Sequence, residues 1–264
     1  MPELPEVETG VRSILPLVGR RILGAEFRAA RILRGGDPER MAVRLAGRRI
    51  GAIRRYGKFI LMSLSGGGYL LLHLGMTGRL SRTGAPGKHT HAIFTLDRGV
   101  LLFDDSRQFG AIELHEDFPA RVARLGPEPL EMAAEDFARS LRRHRTRIKA
   151  LLLNQAFVRG VGNIYADEAL FRAGIHPMAS TARLRLDRAL RLHQALVDVL
   201  TEAIAAGGSS ISDYVDADGR QGFFQVSHRV YQRTGEPCVS CRAAIRRVLV
   251  AQRSSHFCPR CQKR

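Results

Sequence analysis

The sequence predicts an α+β chain of several domains: a leading helix on a β-rich half, then a helical half, then a small cysteine-bearing hairpin. Three observations carry that expectation. Between Arg21 and about Glu116 short apolar runs near-alternate with polar residues and are punctuated by glycine; past residue 130 the apolar spacing turns helical; and all four cysteines fall between Cys238 and Cys261. Strands first and helices afterwards segregate into separate domains, and 264 residues suffice to bury about two cores without crosslinks.

Each element follows from local pattern. From Pro5 to about Leu15, Val7, Val11, Ile14 and Leu15 recur at helical spacing, so a helix leads into the sheet. RILGAEFRAA, KFILMSLSGGGYLLLHLGMTGRL and HAIFTLDRGVLLFDDSRQFGAIEL read as about seven strands of a sandwich or barrel. LGPEPL at 125–130 breaks both periodicities and is the expected linker. AAEDFARSLRRH, RTRIKALLLNQ, IYADEALFRAG and LRLDRALRLHQALVDVLTEAIAAGG then read as helices. GGSSISDYVDADGRQG is too long and glycine-laden for a tight turn, and loops of that kind are functional or disordered. The expected domains are 1–124, 131–222 and 228–264.

Composition narrows the function classes. Lys plus Arg number 42 against 25 Asp plus Glu, a formal charge of +17 dominated by arginine, whose planar fork suits bidentate phosphate contacts. Nucleic acid is the favoured partner over an anionic membrane. The start is acidic rather than basic, and no apolar run approaches the about 20 residues that span a bilayer. A cytosolic protein without a membrane partner is expected.

Three motifs carry chemistry. Cys238-x2-Cys241-x16-Cys258-x2-Cys261 places four thiolates for a closed tetrahedral shell, so one structural zinc per chain is expected, with no open site for catalysis. Between the cysteine pairs, IRRVLVAQRSSHF alternates like a hairpin and presents Arg246, Arg247 and Arg253 to phosphate. In RGVGNIYADEAL, Gly160 and Gly162 allow tight turns and Asn163 can cap the following helix; an anion site on free N–H groups and an ordinary helical hairpin both fit. The opening MPELPEVE also has two readings. It is a helix-initiating signal, or, once methionine is trimmed, it exposes the secondary amine of Pro2 beside Glu3. Such an amine forms an iminium without further proton loss, and the positive end of a helix disfavours its protonated form.

These pieces occur together in a known family. PELPEVET, RRYGKF, HLGMTGRL, DDSRQFGA, LGPEPL, GVGNIYADEALFRAGIHP, SDYVDADGRQGFFQ, RVYQRTGEPCVSC and QRSSHFCPRCQ run in family order from Pro2 to Gln262. Over that whole length the sequence resembles the bacterial formamidopyrimidine-DNA glycosylases, the Fpg/MutM branch of the Fpg/Nei superfamily. The resemblance implies an N-terminal helix with a β-sandwich, a helix-two-turn-helix domain and a zinc ribbon. It also implies a bifunctional glycosylase and AP lyase that excises oxidised purines, 8-oxoguanine and formamidopyrimidines, from double-stranded DNA and acts as a monomer.

By the same resemblance Pro2 is the nucleophile, Glu3 its acid/base, Lys58 an aid to β-elimination, and Arg253 the ribbon arginine tied to phosphate and δ-elimination. Glu6 lines the active site. Met76, Arg107 and Phe109 fill the gap left by an everted base, Phe109 as wedge and Arg107 on the orphaned cytosine. His73, His89, Arg107, Arg145, Lys149 and Asn163 contact DNA. The stretch 207–222, with Ser209, Ser210, Ser212, Asp213 and Tyr214, is a loop closing over the lesion. Asn154, where Asp is commoner, and Arg159, where a small or apolar residue is commoner, depart from the pattern. The PELPEVE start favours the purine-excising branch over the Nei-like branch for oxidised pyrimidines. Joint retention of Pro2, Glu3 and Lys58 argues against a DNA-binding protein that has lost the chemistry.

Overall fold

The computed structural model describes residues 1–210 and 215–264. It divides into two compact units, Met1–Arg124 with Ala206–Gln225, and Leu125–Ala205 with Val226–Arg264. Among the described residues no helix is long and apolar enough to cross a membrane.

The first unit opens with α1 (Leu4–Ile14), whose N-cap Glu3 is extended and whose first turn holds Pro5, where a missing N–H costs nothing. Leu4, Val7, Val11 and Ile14 bury one face, each worth about 1.5–3 kcal/mol. Then come β1 (Ile22–Phe27), α2 (Pro38–Leu45), β2 (Ile50–Tyr56), β3 (Phe59–Leu64), β4 (Tyr69–His73), β5 (Gly78–Ser81), β6 (Thr90–Leu96), β7 (Val100–Asp105), β8 (Ala111–His115) and the single turn α3 (Ala120–Ala123). Eight strands rather than seven form two antiparallel four-stranded sheets, β1-β6-β7-β5 and β2-β3-β4-β8. Ile60, Leu72 and Ile112 of one sheet share a buried core with Phe94 and Phe103 of the other, and α1 adds Val7 and Ile14. Of the two readings left open, a sandwich is the one adopted. The strand reading of 21–116 missed α2, though its start is locally encoded: the Asp37 carboxylate accepts from Arg40 N at 2.9 Å and Pro38 occupies the first turn.

The second unit contains α4 (Ala134–Arg142), α5 (Ile148–Leu152), α6 (Asn163–Arg172), α7 (Leu186–Ala205), and the hairpin β9 (Arg246–Val250) with β10 (Arg253–Phe257). α6 packs on both α7 and β10, so residues Ile164 to Phe171 are buried almost all round, acids included. α5 is shorter than the helical pattern RTRIKALLLNQ suggests, because Arg147 is extended and bridges Ser180, and the Asn154 amide oxygen turns the chain by accepting from Ala156 N at 3.0 Å.

Two boundaries differ from the sequence expectation. LGPEPL belongs to the helical unit: Gly126 N donates to Gln155 O at 2.8 Å, and buried Glu128 pairs with Arg159 at 3.0 Å. Arg159 thereby has a local reason to replace a small residue. Residues 206–222, expected in the helical domain, are grouped with the N-terminal unit as part of Ala206–Gln225.

Candidate active site and zinc centre

Pro2 is buried immediately ahead of the α1 N-cap, and Glu3 and Glu6 are 3% and 2% exposed. The two glutamates form a reciprocal capping box, in which Glu6 accepts from Glu3 N at 2.8 Å. The other Glu6 oxygen accepts from Ser209 N at 2.7 Å, so a single carboxylate fixes both the first residues of the chain and the base of the 206–225 segment. Gly208 makes that approach possible. Its φ is +83°, and a Cβ there would lie 2.7 Å from the Glu6 carboxylate. Farther along, Ser210 N donates to Gln225 Oε1 and Gly222 N to Ser210 Oγ, both at 2.9 Å, while Arg82 pairs with Asp218. Of the expected lesion-loop residues, Ser209 and Ser210 sit at this pinned base; Ser212, Asp213 and Tyr214 lie outside the described residues.

Lys58 occupies the tight turn between β2 and β3 and is 9% exposed. That hairpin is tied to α1 by Arg55, which pairs with Glu8 at 2.9 Å. Burial works against the Glu8 carboxylate, but Arg12 and Arg55 outweigh it and hold its pKa below the usual range. His73 on β4 stacks on Phe59 with ring centroids 4.9 Å apart, and its Nδ1 accepts from Gly75 N at 3.1 Å. Burial, then the neighbouring Lys58 and Arg121 charges, bring His73 down to about 4. His73 is therefore neutral at pH 7, and with Nδ1 committed to Gly75 N it has its Nε2–H to offer to a phosphate.

Met76, Arg107 and Phe109 come from the β4–β5 and β7–β8 loops, and all three side chains are exposed. The Arg107 guanidinium lies over the Phe109 ring at 4.6 Å. Exposed His89 borders a cleft of about 200 Å³ with Thr77, Arg79 and Ser106.

In the helical unit Arg145 is exposed, as a phosphate contact requires. Lys149 is not. It is fully buried, pairs with Asp167 at 2.6 Å and donates to Ser254 O at 2.9 Å. An ammonium committed to those partners is a structural crosslink, which corrects its reading as a DNA contact. Asn163 is likewise the first helical residue of α6, not its cap; Gly162 is the N-cap, and Asn163 Oδ1 is buried without a partner among the described residues. Sequence reasoning missed Asp167 and Glu168, although two acids inside the apolar run IYADEALF are a signal, since buried charges need partners. Asp167 Oδ2 meets both the backbone N–H and Nδ1 of His256 at 2.9 Å. Glu168 accepts from Tyr231, Arg229 and Val230 N at 2.8, 2.9 and 3.0 Å; burial raises its pKa, and those N–H groups pull it back.

The four cysteine sulfurs lie within 4.8 Å of one another, with Cys238–Cys261 at 3.9 Å and Cys241–Cys258 at 3.4 Å. Zn–S bonds of about 2.3 Å in a tetrahedron require S···S edges of about 3.8 Å, so the set fits zinc. Burial and the adjacent sulfurs push Cys258 and Cys261 up, the mutual repulsion that a divalent cation removes. Ser240 N and Cys261 N point at Cys238 and Cys258 sulfur, each at 3.4 Å. The cluster holds one structural zinc, and it supports a hairpin whose turn residues Ala251 and Gln252 both have positive φ, 48° and 59°. Such a turn normally demands Asn or Gly, and non-glycine residues there are strained. Arg253, exposed, follows directly.

Comparison with known proteins matches residues 1–112 to the formamidopyrimidine-DNA glycosylase N-terminal domain, 125–215 to the H2TH domain of the same enzymes, and 235–264 to a zinc finger found in FPG and IleRS. A formamidopyrimidine-DNA glycosylase of Solibacter usitatus is 72% identical over the full length of both chains. The chain belongs to the formamidopyrimidine-DNA glycosylase family. Solved family members align end to end. Lactococcus lactis Fpg bound to N7-benzyl-Fapy-dG containing DNA is 37% identical with a TM-score of 0.90 and covers 100% of each chain. The same protein with abasic site containing DNA gives 37% and 0.89, covering 99% of this chain and 100% of that one. The α+β architecture of sandwich, helix-two-turn-helix and zinc ribbon expected of the family is the one found here.

Proposed function

We propose that this chain, acting as a monomer in the bacterial cytosol, excises oxidised purines from duplex DNA and then cleaves the strand. The Pro2 amine, exposed by removal of Met1, donates its lone pair to C1′ of the damaged nucleotide. The C1′–N9 bond breaks, its electrons leave with the base, and the proton shed by the newly alkylated Pro2 nitrogen neutralises the departing base. Glu3 supplies a proton to the ring oxygen as the sugar opens, giving a Pro2 iminium. Loss of a C2′ proton, aided by Lys58, expels the 3′ phosphate; a second elimination, with Arg253 on phosphate, expels the 5′ one. Water then adds to the iminium carbon, which frees the Pro2 amine and releases the sugar as an unsaturated five-carbon aldehyde; the products are the free base, that aldehyde and a one-nucleoside gap flanked by phosphates. Zinc takes no part in these steps beyond holding the hairpin that carries Arg253.

The observation that carries this reading is the burial of Glu3 and Glu6 at the α1 N-cap directly behind Pro2. Acids at a helix start ordinarily stay in solvent, whereas these are buried next in sequence to Pro2, the residue able to become a secondary-amine nucleophile. Borohydride reduction with an 8-oxoguanine duplex is expected to trap a covalent adduct at Pro2. Pro2→Gly should keep DNA binding and lose excision by at least about a thousandfold; wild-type turnover in that variant would remove Pro2 from the mechanism.

A further inference from the structure

We infer that Asp105, at the end of β7, is the positioning residue that fixes the three DNA-inserting side chains. This inference rests on the reading of Met76, Arg107 and Phe109 as the group that fills the helix when a base is everted.

The Asp105 side chain is completely buried, and its two oxygens collect donors from both loops that carry those residues. Oδ1 accepts from Thr77 Oγ1 at 2.5 Å, next to Met76, and from Arg107 N at 3.2 Å. Oδ2 accepts from Gly110 N at 2.7 Å, next to Phe109. Thr77 Oγ1 in turn accepts from Arg107 N at 3.2 Å, which closes the bridge between the loops. An ionised carboxylate is acceptor-only, so it matches a hydroxyl and two N–H groups with no donor left facing a donor. The backbone of Asp105 is itself anchored, its N–H on His89 O at 2.9 Å and its carbonyl against His91 Nε2 at 3.0 Å.

Two further features show loops held in one arrangement. Gln108 has φ 53°, a left-handed conformation that a non-glycine residue keeps only when its surroundings over-determine it. Gly75 packs so closely on the other loop that a Cβ would lie 2.5 Å from Gly110 N and Phe109 C. The result is a rigid base under exposed side chains: Met76 is 39% and Phe109 42% exposed. Insertion into a duplex must offset the unstacking of a base step, so entropy lost in ordering a floppy wedge would subtract directly from it. Asp105 removes that loss before DNA arrives.

The test compares two reactions of the same enzyme under single-turnover conditions: excision of 8-oxoguanine opposite cytosine, which requires a stacked base to be everted, and strand cleavage at a preformed abasic site in the same sequence, which does not. Asp105→Asn turns one oxygen into an NH2 that must face an N–H. Thr77→Val removes one donor with little change of shape and serves where Asp105→Asn does not fold. Both are expected to slow excision at least about tenfold and to leave abasic cleavage at the wild-type rate, while Thr77→Ser, which keeps the hydroxyl, behaves as wild type. Equal slowing of both reactions would reduce Asp105 to a general structural residue and overturn the inference. Phe109→Ala separates the two levels of the reading. If it slows excision while Asp105→Asn and Thr77→Val match wild type, the positioning role alone falls. If it leaves excision unchanged, the insertion reading falls and takes this inference with it.

Discussion

In the N-terminal unit Glu6 and Asp105 are buried against backbone N–H groups and a threonine hydroxyl, whereas in the helical unit Asp167 is buried against Lys149 and His256. The first arrangement fixes loop geometry beside residues proposed to touch DNA. The second crosslinks three elements, α5, α6 and β10, through a charge pair. Neutral donors set a conformation without adding a counter-charge near exposed cations; a buried ion pair joins elements far apart in sequence but makes their union fragile to loss of either partner.

The comparison breaks most visibly at the zinc centre. If the helical unit depends on crosslinks, Cys258→Ser should release the metal and unfold the hairpin, because a structural zinc contributes on the order of 10 kcal/mol to its domain. Metal content, protection of residues 246–257 from hydrogen exchange and duplex affinity should all fall together. A hairpin that stays protected without zinc would show that the Lys149–Asp167 pair alone suffices to hold it.

Next in size is that pair itself. Lys149→Met leaves Asp167 buried without its ammonium partner and should cost about 3–5 kcal/mol in a urea titration. Adding Asp167→Leu should recover much of the loss, since the cost lies in the orphaned charge. If Lys149→Met instead weakens DNA binding with no loss of stability, the assignment of Lys149 as a phosphate contact returns.

The smallest effect is expected from pH in the N-terminal unit. His73 has its pKa lowered from an unfolded value of about 6.5 to about 4, chiefly by burial. The folded state then binds fewer protons than the unfolded one, so stability is unaffected above the unfolded value. It declines as pH falls from 6.5 toward 4, by up to about 3 kcal/mol. His73→Gln should flatten that acid limb in thermal melts from pH 7 to 4. An unchanged limb would mean that His73 titrates freely and is not the neutral partner of Gly75 N.

Sequence alone determined whatever depends on short-range pattern or covalent identity. The Cys-x2-Cys pairs defined a metal shell before any coordinates, because four thiolates at that spacing have one good use. Pro5 and the capping glutamates defined the start of α1, and alternation defined the strands. The motif residues Pro2, Glu3, Lys58 and Phe109 could be named by resemblance. Tertiary structure decided the rest. Lys149 has the sequence of a solvated helix lysine, and only the approach of α6 and β10, more than 100 residues apart from it at Ser254, turns it into a buried crosslink. The segment 206–225 follows a long helix in the chain yet is grouped with the sandwich, through Glu6 and Ser209, which lie about 200 residues apart. Asp105 stands beside Asp104 in sequence with nothing to distinguish the two, and strand pairing sends one carboxylate into the interior between two loops. Local periodicity encodes which residues are helical or extended; which charge is desolvated, and by whose donors, is set by contacts between distant segments that no window of sequence contains.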